Sequence, residues 1–344
     1  MSPPSKSTTS IELFFSYAHE DEELRNELAK HLRLLERRKV ISAWHDRRIG
    51  AGKEWEQEID TRLNQAHLIL LLVSSDFLAS DYCYDVEMKR AMERHETGDA
   101  RVIPVILRDV DWRGAPFSKL NALPTDGKPV TAWPNRDAAF TSIEEGIKKA
   151  AEELLRGQIE HLFEKLEKAE SLKNWPNAIE LGERILKLLP DDKVTRSRTA
   201  EAYIENWRRR FDGSLYFNPG TLSLNHRLEE LLRSPDNSRK IKADLTRAQE
   251  LDPDNANVYY WRSAVIGTSL NEKIADMTQA IRIDPRAAYY YIRSVLLARS
   301  GDQEAARQDL DHAAKLGDKR AQAEVAREQD NEQIRDLLGF KPEA

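Results

Sequence analysis

A glutamate follows the most apolar stretch of this sequence at a position suited to chemistry. The run HLILLLV (67–73) predicts a buried strand, and the polar segment SSDFLASDYCYDVE (74–87) follows it and ends at Glu87. This segment predicts a short loop and then a helix that begins at Tyr82. Glu87 is therefore expected near the carboxyl end of a strand, where open α/β sheets bind ligands. An ionised carboxylate there can stabilise positive charge that develops during a reaction.

Three polar residues lie at the end of the first predicted strand. The segment IELFFSYAHED predicts a strand over residues 11–17, followed by a loop. Ser16, Tyr17 and His19 lie where the strand gives way to this loop. Because parallel strands end at the same edge of a sheet, we expect these side chains on the same edge as Glu87.

A loop with two arginines follows the second predicted strand. In this loop, Asp46, Arg47 and Arg48 precede the sequence Gly-Ala-Gly. Glycines permit backbone conformations that other residues resist, and mobile loops often close over substrates. Guanidinium groups are suited to pyrophosphate. The loop is a candidate binding element, and a solvated basic turn is the alternative interpretation of each arginine.

Strands and helices alternate as far as residue 155. Five apolar runs predict strands, at residues 11–17, 40–44, 67–73, 102–107 and 129–133. Helices between them carry apolar residues at a spacing of three or four, namely Leu24, Leu28, Leu32 and Leu35, then Trp55, Ile59, Leu63 and Ala66, and finally Phe140, Ile143, Ile147 and Leu154. The alternation predicts an α/β domain of the flavodoxin-like class, with a five-stranded parallel sheet covered by helices on both faces.

Several motifs of this half, taken together, resemble a TIR domain of the bacterial type. They are FFSYAHED, WHDRRIGAG, the serine-containing segment that ends at Glu87, DWRGAPF (111–117) and the last predicted strand, all in the order and spacing of the family. The resemblance covers roughly residues 10–155. Many family members carry a tryptophan four residues before the glutamate, where this chain has Cys83 beside Tyr82. An aromatic platform for a substrate is then expected from Tyr82, or is absent.

The resemblance implies cleavage of NAD+ between nicotinamide and ribose, with Glu87 as the catalytic residue. Nicotinamide leaves as a neutral molecule, so the reaction needs no general acid. One carboxylate can stabilise the transition state, which resembles an oxocarbenium ion. The family lines its NAD site with the loop that holds Ser16, Tyr17 and His19. NAD+ is then the substrate, no cofactor or metal is expected, and self-association through TIR domains is implied.

Two other functions stay open on the same residues. A non-catalytic adaptor that self-associates would keep the fold, and the missing tryptophan at Cys83 favours it. A nucleoside deoxyribosyltransferase would share the fold class and the glutamate chemistry. A phosphoacceptor receiver domain is disfavoured, because it needs paired acidic residues where Ser16 and Tyr17 stand. No histidine lies near Cys83 in the sequence to make it a thiol nucleophile, and the histidines lack the spacing of metal ligands.

The second half of the chain contains an internal repeat. ADLTRAQELDP (243–253) recurs as ADMTQAIRIDP (275–285) and again as QDLDHAAKLGD (308–318), and ELGERILKLLP (180–190) is a degenerate earlier copy. A period of about 34 residues with a helix that ends in Asp-Pro resembles tetratricopeptide repeats. Such repeats bind proteins or peptides on a concave surface. The segment 206–227 interrupts them as a plain loop or a docking element.

Composition agrees with a two-domain protein of soluble type. The chain has 344 residues, of which 33% are charged and 40% hydrophobic, and its net charge is −6. Neither half has the basic excess of a nucleic-acid binder, no apolar run suits a membrane span, and one cysteine fits a reducing cytoplasm. We expect a disordered tail (1–10), the TIR domain (11–155), the helical repeats (156–328) and a terminal helix and tail (329–344).

An enzyme module joined to a recognition module suggests a sensor-effector protein. Bacterial TIR proteins of this design are often immune effectors, so the resemblance implies antiphage signalling. We expect a protein or peptide trigger at the repeats, and neither a nucleic-acid nor a membrane partner.

Overall fold

The computed structural model describes residues 10–44, 55–210, 235–265 and 269–337. The chain divides into two compact units, Met1–His161 and Leu162–Ala344. Each unit is described by itself below. Among the described helices, none has both the length and the hydrophobicity that a membrane span requires.

The described part of the first unit alternates strands with helices. Its strands are β1 (Ile11–Tyr17), β2 (Ile41–Trp44), β3 (Leu68–Val73) and β4 (Arg101–Ile106). Its helices are α1 (Glu22–His31), α2 (Arg33–Arg37), α3 (Trp55–Gln65), α4 (Ser75–Ala79), a π-helix (Tyr82–Met88), α5 (Lys89–Glu96) and α6 (Arg136–Ser171). The division between the units falls within α6.

The described sheet has four strands, all parallel, in the order β2-β1-β3-β4. The chain passes from β1 to β2 on one side and from β3 to β4 on the other side, so these connections run in opposite directions from the boundary between β1 and β3. In doubly wound sheets such a boundary creates a crevice beyond the carboxyl ends of the strands. The predicted α/β class with a parallel sheet is therefore confirmed, and the crevice is expected beside the end of β1.

The prediction of a fifth strand over residues 129–133 is wrong. That segment forms a 3-10 turn at Val130–Ala132, and prolines flank it. Proline lacks the backbone N–H that a sheet ladder uses. The edge of β4 is instead occupied by Leu123, whose N–H donates to a β4 carbonyl at 2.8 Å. Within the segment predicted as a strand, the Thr131 N–H donates to the Leu107 carbonyl at 3.1 Å. This is one hydrogen bond and not the series of hydrogen bonds that joins two strands.

Successive residues of the strands point to two hydrophobic cores on opposite faces of the sheet. Leu68, Leu70 and Leu72 of β3 join the core under α1, α2 and α6, whereas Ile69, Leu71 and Val73 join the core under α3, the π-helix and α5. All of β3 is buried, as its continuous apolar run predicts. The predicted stripes of α1–α2, α3 and α6 are buried in these cores, Leu154 in part. The side chain of Trp55 lies outside the described residues.

The segment after β3 is more helical than the predicted loop. Residues Ser75–Ala79 form α4, and Ser74 caps it, because the Phe77 N–H donates to Ser74 Oγ at 3.0 Å. Serine is a favoured residue at helix N-termini for this reason. The helix predicted from Tyr82 is present, and its first seven residues are π-helical. The chain therefore makes two short turns across the edge of the sheet before α5.

The described part of the second unit is entirely helical. After α6, its helices are α7 (Trp175–Leu188), α8 (Lys193–Arg210), α9 (Pro235–Leu251), α10 (Ala256–Val265), α11 (Leu270–Ile283), α12 (Ala287–Ser300), α13 (Gln303–Lys315) and α14 (Lys319–Leu337). The repeated sequence segments end α7, α9, α11 and α13. The segment 206–227 was predicted to interrupt the repeats. Its residues 206–210 belong to α8, and residues 211–234 lie outside the described part.

Successive helices of this unit share a repeated ion pair. Arg262 of α10 donates through Nε to Asp276 of α11 at 3.0 Å. Arg293 of α12 donates through Nε to Asp309 of α13 at 2.7 Å, and through a second nitrogen at 2.8 Å. Each arginine also lies over a tyrosine three residues earlier in its own helix. The sequence repeat is thus a repeat of tertiary contacts.

Candidate functional site

Glu87 lies in the π-helix with its carboxylate close to the end of β1. It is 6% exposed, and Ser16 Oγ donates to its Oε2 at 2.5 Å. The two residues meet because β1 and β3 are neighbouring parallel strands with a common carboxyl edge. The distance falls in the range of hydrogen bonds between a hydroxyl and a carboxylate anion. Such a bond favours the ionised form of the glutamate.

Two residues of the π-helix form hydrogen bonds with consecutive residues at the end of β1. Cys83 donates through Sγ to the Tyr17 carbonyl at 3.4 Å, and Glu87 accepts from the adjacent Ser16. Ser80 fixes the start of the turn, because its Oγ accepts from the Cys83 N–H at 3.2 Å. π-helices are rare and occur frequently at functional sites. Here the wider turn places a thiol and a carboxylate against one strand end.

A cleft of about 690 Å³ opens at this edge of the sheet. Its volume is in the range of small-molecule sites, roughly 300–1,000 Å³. Its walls are Phe14, Phe15, Tyr17, Ala18, His19, Glu20, Trp44, Ile59, Asp76, Ala79, Ser80, Tyr82, Cys83 and Glu87. The cleft combines aromatic surface with carboxylates, and it lies where the sheet order predicts a ligand crevice.

Five of the nine residues predicted for the site line this cleft. They are Tyr17, His19, Tyr82, Cys83 and Glu87. Tyr17 is held in place by Arg25, which donates to the Tyr17 hydroxyl at 2.9 Å. His19 begins a 3-10 turn and is exposed. The structure therefore brings together side chains from the β1 loop and the π-helix, as the sequence predicted.

The other four predicted residues are not cleft walls of the described structure. Ser16 is fully buried behind Glu87 and does not line the cleft. Asp46, Arg47 and Arg48 lie outside the described residues, so their proposed contacts with pyrophosphate stay predictions.

Cys83 has the properties of a buried thiol. Burial raises its pKa to about 11, and the nearby carboxylates of Glu87, Glu20 and Asp21 act in the same direction. A thiol with so high a pKa is protonated at neutral pH and is a poor nucleophile. The disfavoured role of Cys83 as a nucleophile therefore finds no support in its surroundings. Among the described residues, no group of three metal-binding side chains is arranged to hold an ion.

Comparison with known proteins assigns the domain that carries this cleft. The family model for the TIR domain matches residues 13–140. Residues 13–140 form a TIR domain. In the described residues that follow, the chain is all-helical, in agreement with the predicted order of the two domains.

One similar protein covers less than half of the chain. It is an uncharacterized protein, y4lF, of Sinorhizobium fredii (strain NBRC 101917 / NGR234), which is 57% identical over 144 residues. The matching stretch is 42% of this chain and 45% of the relative. The chain thus spans under half the length of that relative.

Trp44 is a cleft residue that the sequence analysis did not name as a candidate, because an aromatic residue in a predicted strand is ordinarily a core residue. It ends β2, and its ring stacks on Phe14 with centroids 5.5 Å apart and planes 13° from parallel. It is packed and it lines the cleft, so the two interpretations are compatible. Its place at the carboxyl end of a strand was the signal for a site role. The TIR domain therefore has an aromatic wall besides Tyr82, although Cys83 replaces the family's frequent tryptophan.

A buried ion-pair cluster near the cleft was also not predicted from the sequence. Asp21 is fully buried and accepts hydrogen bonds from Ser74 and from Arg108 Nε, the latter at 2.9 Å. Arg108 also pairs with Asp76, a cleft wall. Burial raises the pKa of the Asp21 carboxyl, against the lowering effect of Ser74 and Arg108. The cluster joins the ends of β1, β3 and β4, and sequence spacing gives no sign of it.

Proposed function

We propose that this chain is an NAD+ glycohydrolase that cleaves the bond between nicotinamide and ribose. The observation that carries the proposal is the Glu87 carboxylate on the wall of the TIR-domain cleft, hydrogen-bonded by Ser16. A residue placed only for solubility would lie on an exposed helix face. Glu87 is instead turned toward the sheet edge at the ligand crevice.

The proposed reaction requires one negative charge beside the ribose. As the N-glycosidic bond breaks, nicotinamide takes the bonding electron pair and leaves neutral, and positive charge develops on the ribose carbon and ring oxygen. The Glu87 carboxylate stabilises that charge, as carboxylates do in glycoside hydrolysis. Water then adds to the carbon and releases a proton to solvent, which gives ADP-ribose. No cofactor is needed in this scheme, since NAD+ is the substrate.

Aromatic walls supply surfaces for the bases of the dinucleotide. Trp44 and Tyr82 both line the cleft, and stacking on aromatic rings binds bases with little dependence on sequence or substituent. Tyr17 and His19 complete the side formed by the β1 loop. Asp46, Arg47 and Arg48 are proposed to contact the pyrophosphate.

Activity is proposed to depend on assembly and on the helical unit. TIR domains commonly self-associate, so the active form is proposed to be an oligomer. A protein or peptide trigger bound by the repeats would favour that assembly among existing arrangements. In this proposal the protein acts in the bacterial cytoplasm, in antiphage defence, where loss of NAD+ arrests growth.

A direct assay tests the enzyme. Full-length protein is incubated with NAD+ from nanomolar to tens of micromolar concentration, and released nicotinamide is quantified. We expect specific activity to rise with protein concentration, because association follows mass action. Activity per molecule that stays constant, with a monomer by light scattering, would contradict the oligomer requirement.

A non-catalytic adaptor is the second candidate. The limited exposure of Glu87 and the replacement of the family's frequent tryptophan by Cys83 favour it. The same assay separates the two candidates. An adaptor releases no nicotinamide at any concentration, yet it still self-associates by light scattering.

A further inference from the structure

Ser16 has an unusual environment for a serine. It is the second-last residue of β1, and the alternation of that strand turns it to the same face as Phe14. That face is an apolar core, and Ser16 itself is 0% exposed. A hydroxyl buried in an apolar environment is costly unless it is hydrogen-bonded. Its partner in the structure is the Glu87 carboxylate, 2.5 Å away.

The same geometry argues against direct contact between Ser16 and a ligand. Ser16 does not line the cleft, whereas its neighbour Tyr17 and its partner Glu87 do. Glu87 therefore lies between the serine and any molecule in the cleft. A hydroxyl placed behind a carboxylate can act on the reaction through that carboxylate only.

We infer that Ser16 is a positioning residue, whose buried hydroxyl holds one oxygen of Glu87 and so fixes the direction and the ionised state of the carboxylate. This inference rests on the proposed NAD+ cleavage. Hydrogen bonds to a carboxylate anion stabilise the anion relative to the protonated acid. A carboxylate held before the substrate arrives needs no reorganisation as charge develops. Ser16 would thus contribute to the rate step rather than to substrate affinity.

The inference predicts a specific kinetic pattern for Ser16→Ala in the full-length protein. We expect kcat to fall about ten- to a hundredfold, the loss that corresponds to one hydrogen bond to a charged group. KM should change little, because Ser16 does not touch the substrate. The acidic limb of the kcat profile should move to higher pH, since the protonated form of Glu87 loses its disadvantage. The measurement is nicotinamide release across a pH series.

Ser16→Thr tests whether the hydroxyl itself is responsible. Threonine keeps the donor and adds one methyl group in a packed face, so it should restore most of kcat and return the acidic limb toward the wild-type position. A matched control is Ser294→Ala in the helical unit. Ser294 is also buried, and its hydroxyl donates to a backbone carbonyl at 2.7 Å. The control should lower thermal stability without moving the pH profile.

The outcomes separate this inference from the function on which it rests. If wild-type protein releases no nicotinamide, the proposed function fails, and the inference fails with it. If wild-type protein is active and the Ser16→Ala profile superimposes on it, the inference alone is wrong. A raised KM with unchanged kcat would instead make Ser16 a substrate contact, which also overturns it. If Ser16→Ala does not fold, Ser16→Thr becomes the test. A folded Ser16→Thr whose acidic limb lies at higher pH than that of the wild-type protein then contradicts the inference.

Discussion

The TIR domain and the helical unit bury acidic side chains in different ways. In the TIR domain, Glu87 and Asp21 come from separate elements and meet different partners at one edge of the sheet. In the helical unit, Asp276 and Asp309 occupy equivalent positions of a repeat, and each is bound by an arginine of the preceding helix. One arrangement occurs once beside a cleft, and the other recurs between helices.

The difference separates carboxylates that support chemistry from those that support packing. A repeated Asp–Arg pair fixes the register of neighbouring helices, and it recurs at the equivalent aspartates of two repeats. A carboxylate that occurs once, beside a cleft, has no such architectural role to explain it. Burial alone cannot make this distinction, because Glu87 and Asp309 are both 6% exposed.

The largest effect on activity is predicted for Glu87, which is as buried as Asp309 but lies beside the cleft. Glu87→Gln keeps the side-chain shape and removes the charge, so we expect nicotinamide release to fall roughly a hundredfold or more, the effect of losing one electrostatic contact in a transition state. Asp309→Asn is the matched change in the helical unit, and it should lower stability with little effect on the specific activity of folded protein. The measurements are nicotinamide release and thermal unfolding of both variants.

The opposite pattern would contradict the distinction between these two carboxylates. If Glu87→Gln unfolds the protein while Asp309→Asn abolishes activity of a folded protein, the buried glutamate is structural. The proposed site would then be misplaced.

A smaller effect is predicted for the repeated ion pair. Arg293→Met leaves Asp309 buried without its two guanidinium hydrogen bonds, and loss of one partner of a buried pair is strongly destabilising. Arg293 is itself partly exposed, so we expect the free energy of unfolding to fall by about 2–3 kcal/mol. The double variant Arg293→Met/Asp309→Leu should recover most of this loss. Urea denaturation of the full chain measures both changes, and a double variant no better than the single one would contradict the explanation.

These experiments concern a fold whose regular parts could be predicted from the sequence. The continuous apolar run of β3 and the stripe of α1 and α2 are strong local patterns, and both are buried as predicted. The repeat of the helical unit could be predicted because the sequence itself recurs. The turn at Val130–Ala132 could not be predicted, because the apolar residues of 129–133 fit a strand as well as a turn. The edge of β4 is filled by Leu123, which comes from another segment.

The candidate site was predictable only as a set of segments that lie near the carboxyl ends of strands. Tyr17 and Glu87 line the cleft because parallel strands end at one edge, which the order of elements implies. The bond from Ser16 to Glu87 joins residues 71 positions apart, so no spacing rule finds it. The same holds for Asp21 and Arg108, 87 positions apart. Those contacts depend on strand register and on the π-helix, which a single sequence does not specify.

A moderate effect is predicted for Trp44, which lines the cleft of the TIR domain. Trp44→Ala removes an aromatic wall of the cleft and its stack on Phe14. Loss of base stacking is worth about 1–3 kcal/mol, so KM for NAD+ should rise about tenfold. Trp44→Phe keeps a ring and should stay near wild type. Kinetics at several NAD+ concentrations decide, and an unchanged KM in a folded Trp44→Ala would restrict Trp44 to a packing role.

The smallest predicted effect concerns the pKa of Cys83, which is sensitive to the charges of the cleft. Cys83 is the chain's single cysteine, and burial with nearby carboxylates raises its pKa from 9.0 to about 11. The folded state therefore holds the thiol proton more tightly than the unfolded state, so this contribution to stability is present below pH 9 and is lost as pH rises toward 11. Alkylation of native protein near pH 8 should be slow, because little thiolate is present. The rate should rise with pH along a titration curve centred near the raised pKa.

The charge of Glu87 contributes to that pKa, which allows a test at the site itself. Glu87→Gln removes one of the negative charges that disfavour the thiolate, so the midpoint of the alkylation curve should move to lower pH. Arg293→Met, in the other unit, should leave the curve unchanged. Mass spectrometry of protein alkylated with iodoacetamide across a pH series measures both midpoints. An unmoved midpoint in Glu87→Gln would mean that Glu87 is not charged beside Cys83, and the electrostatic role proposed for this glutamate would lose its basis.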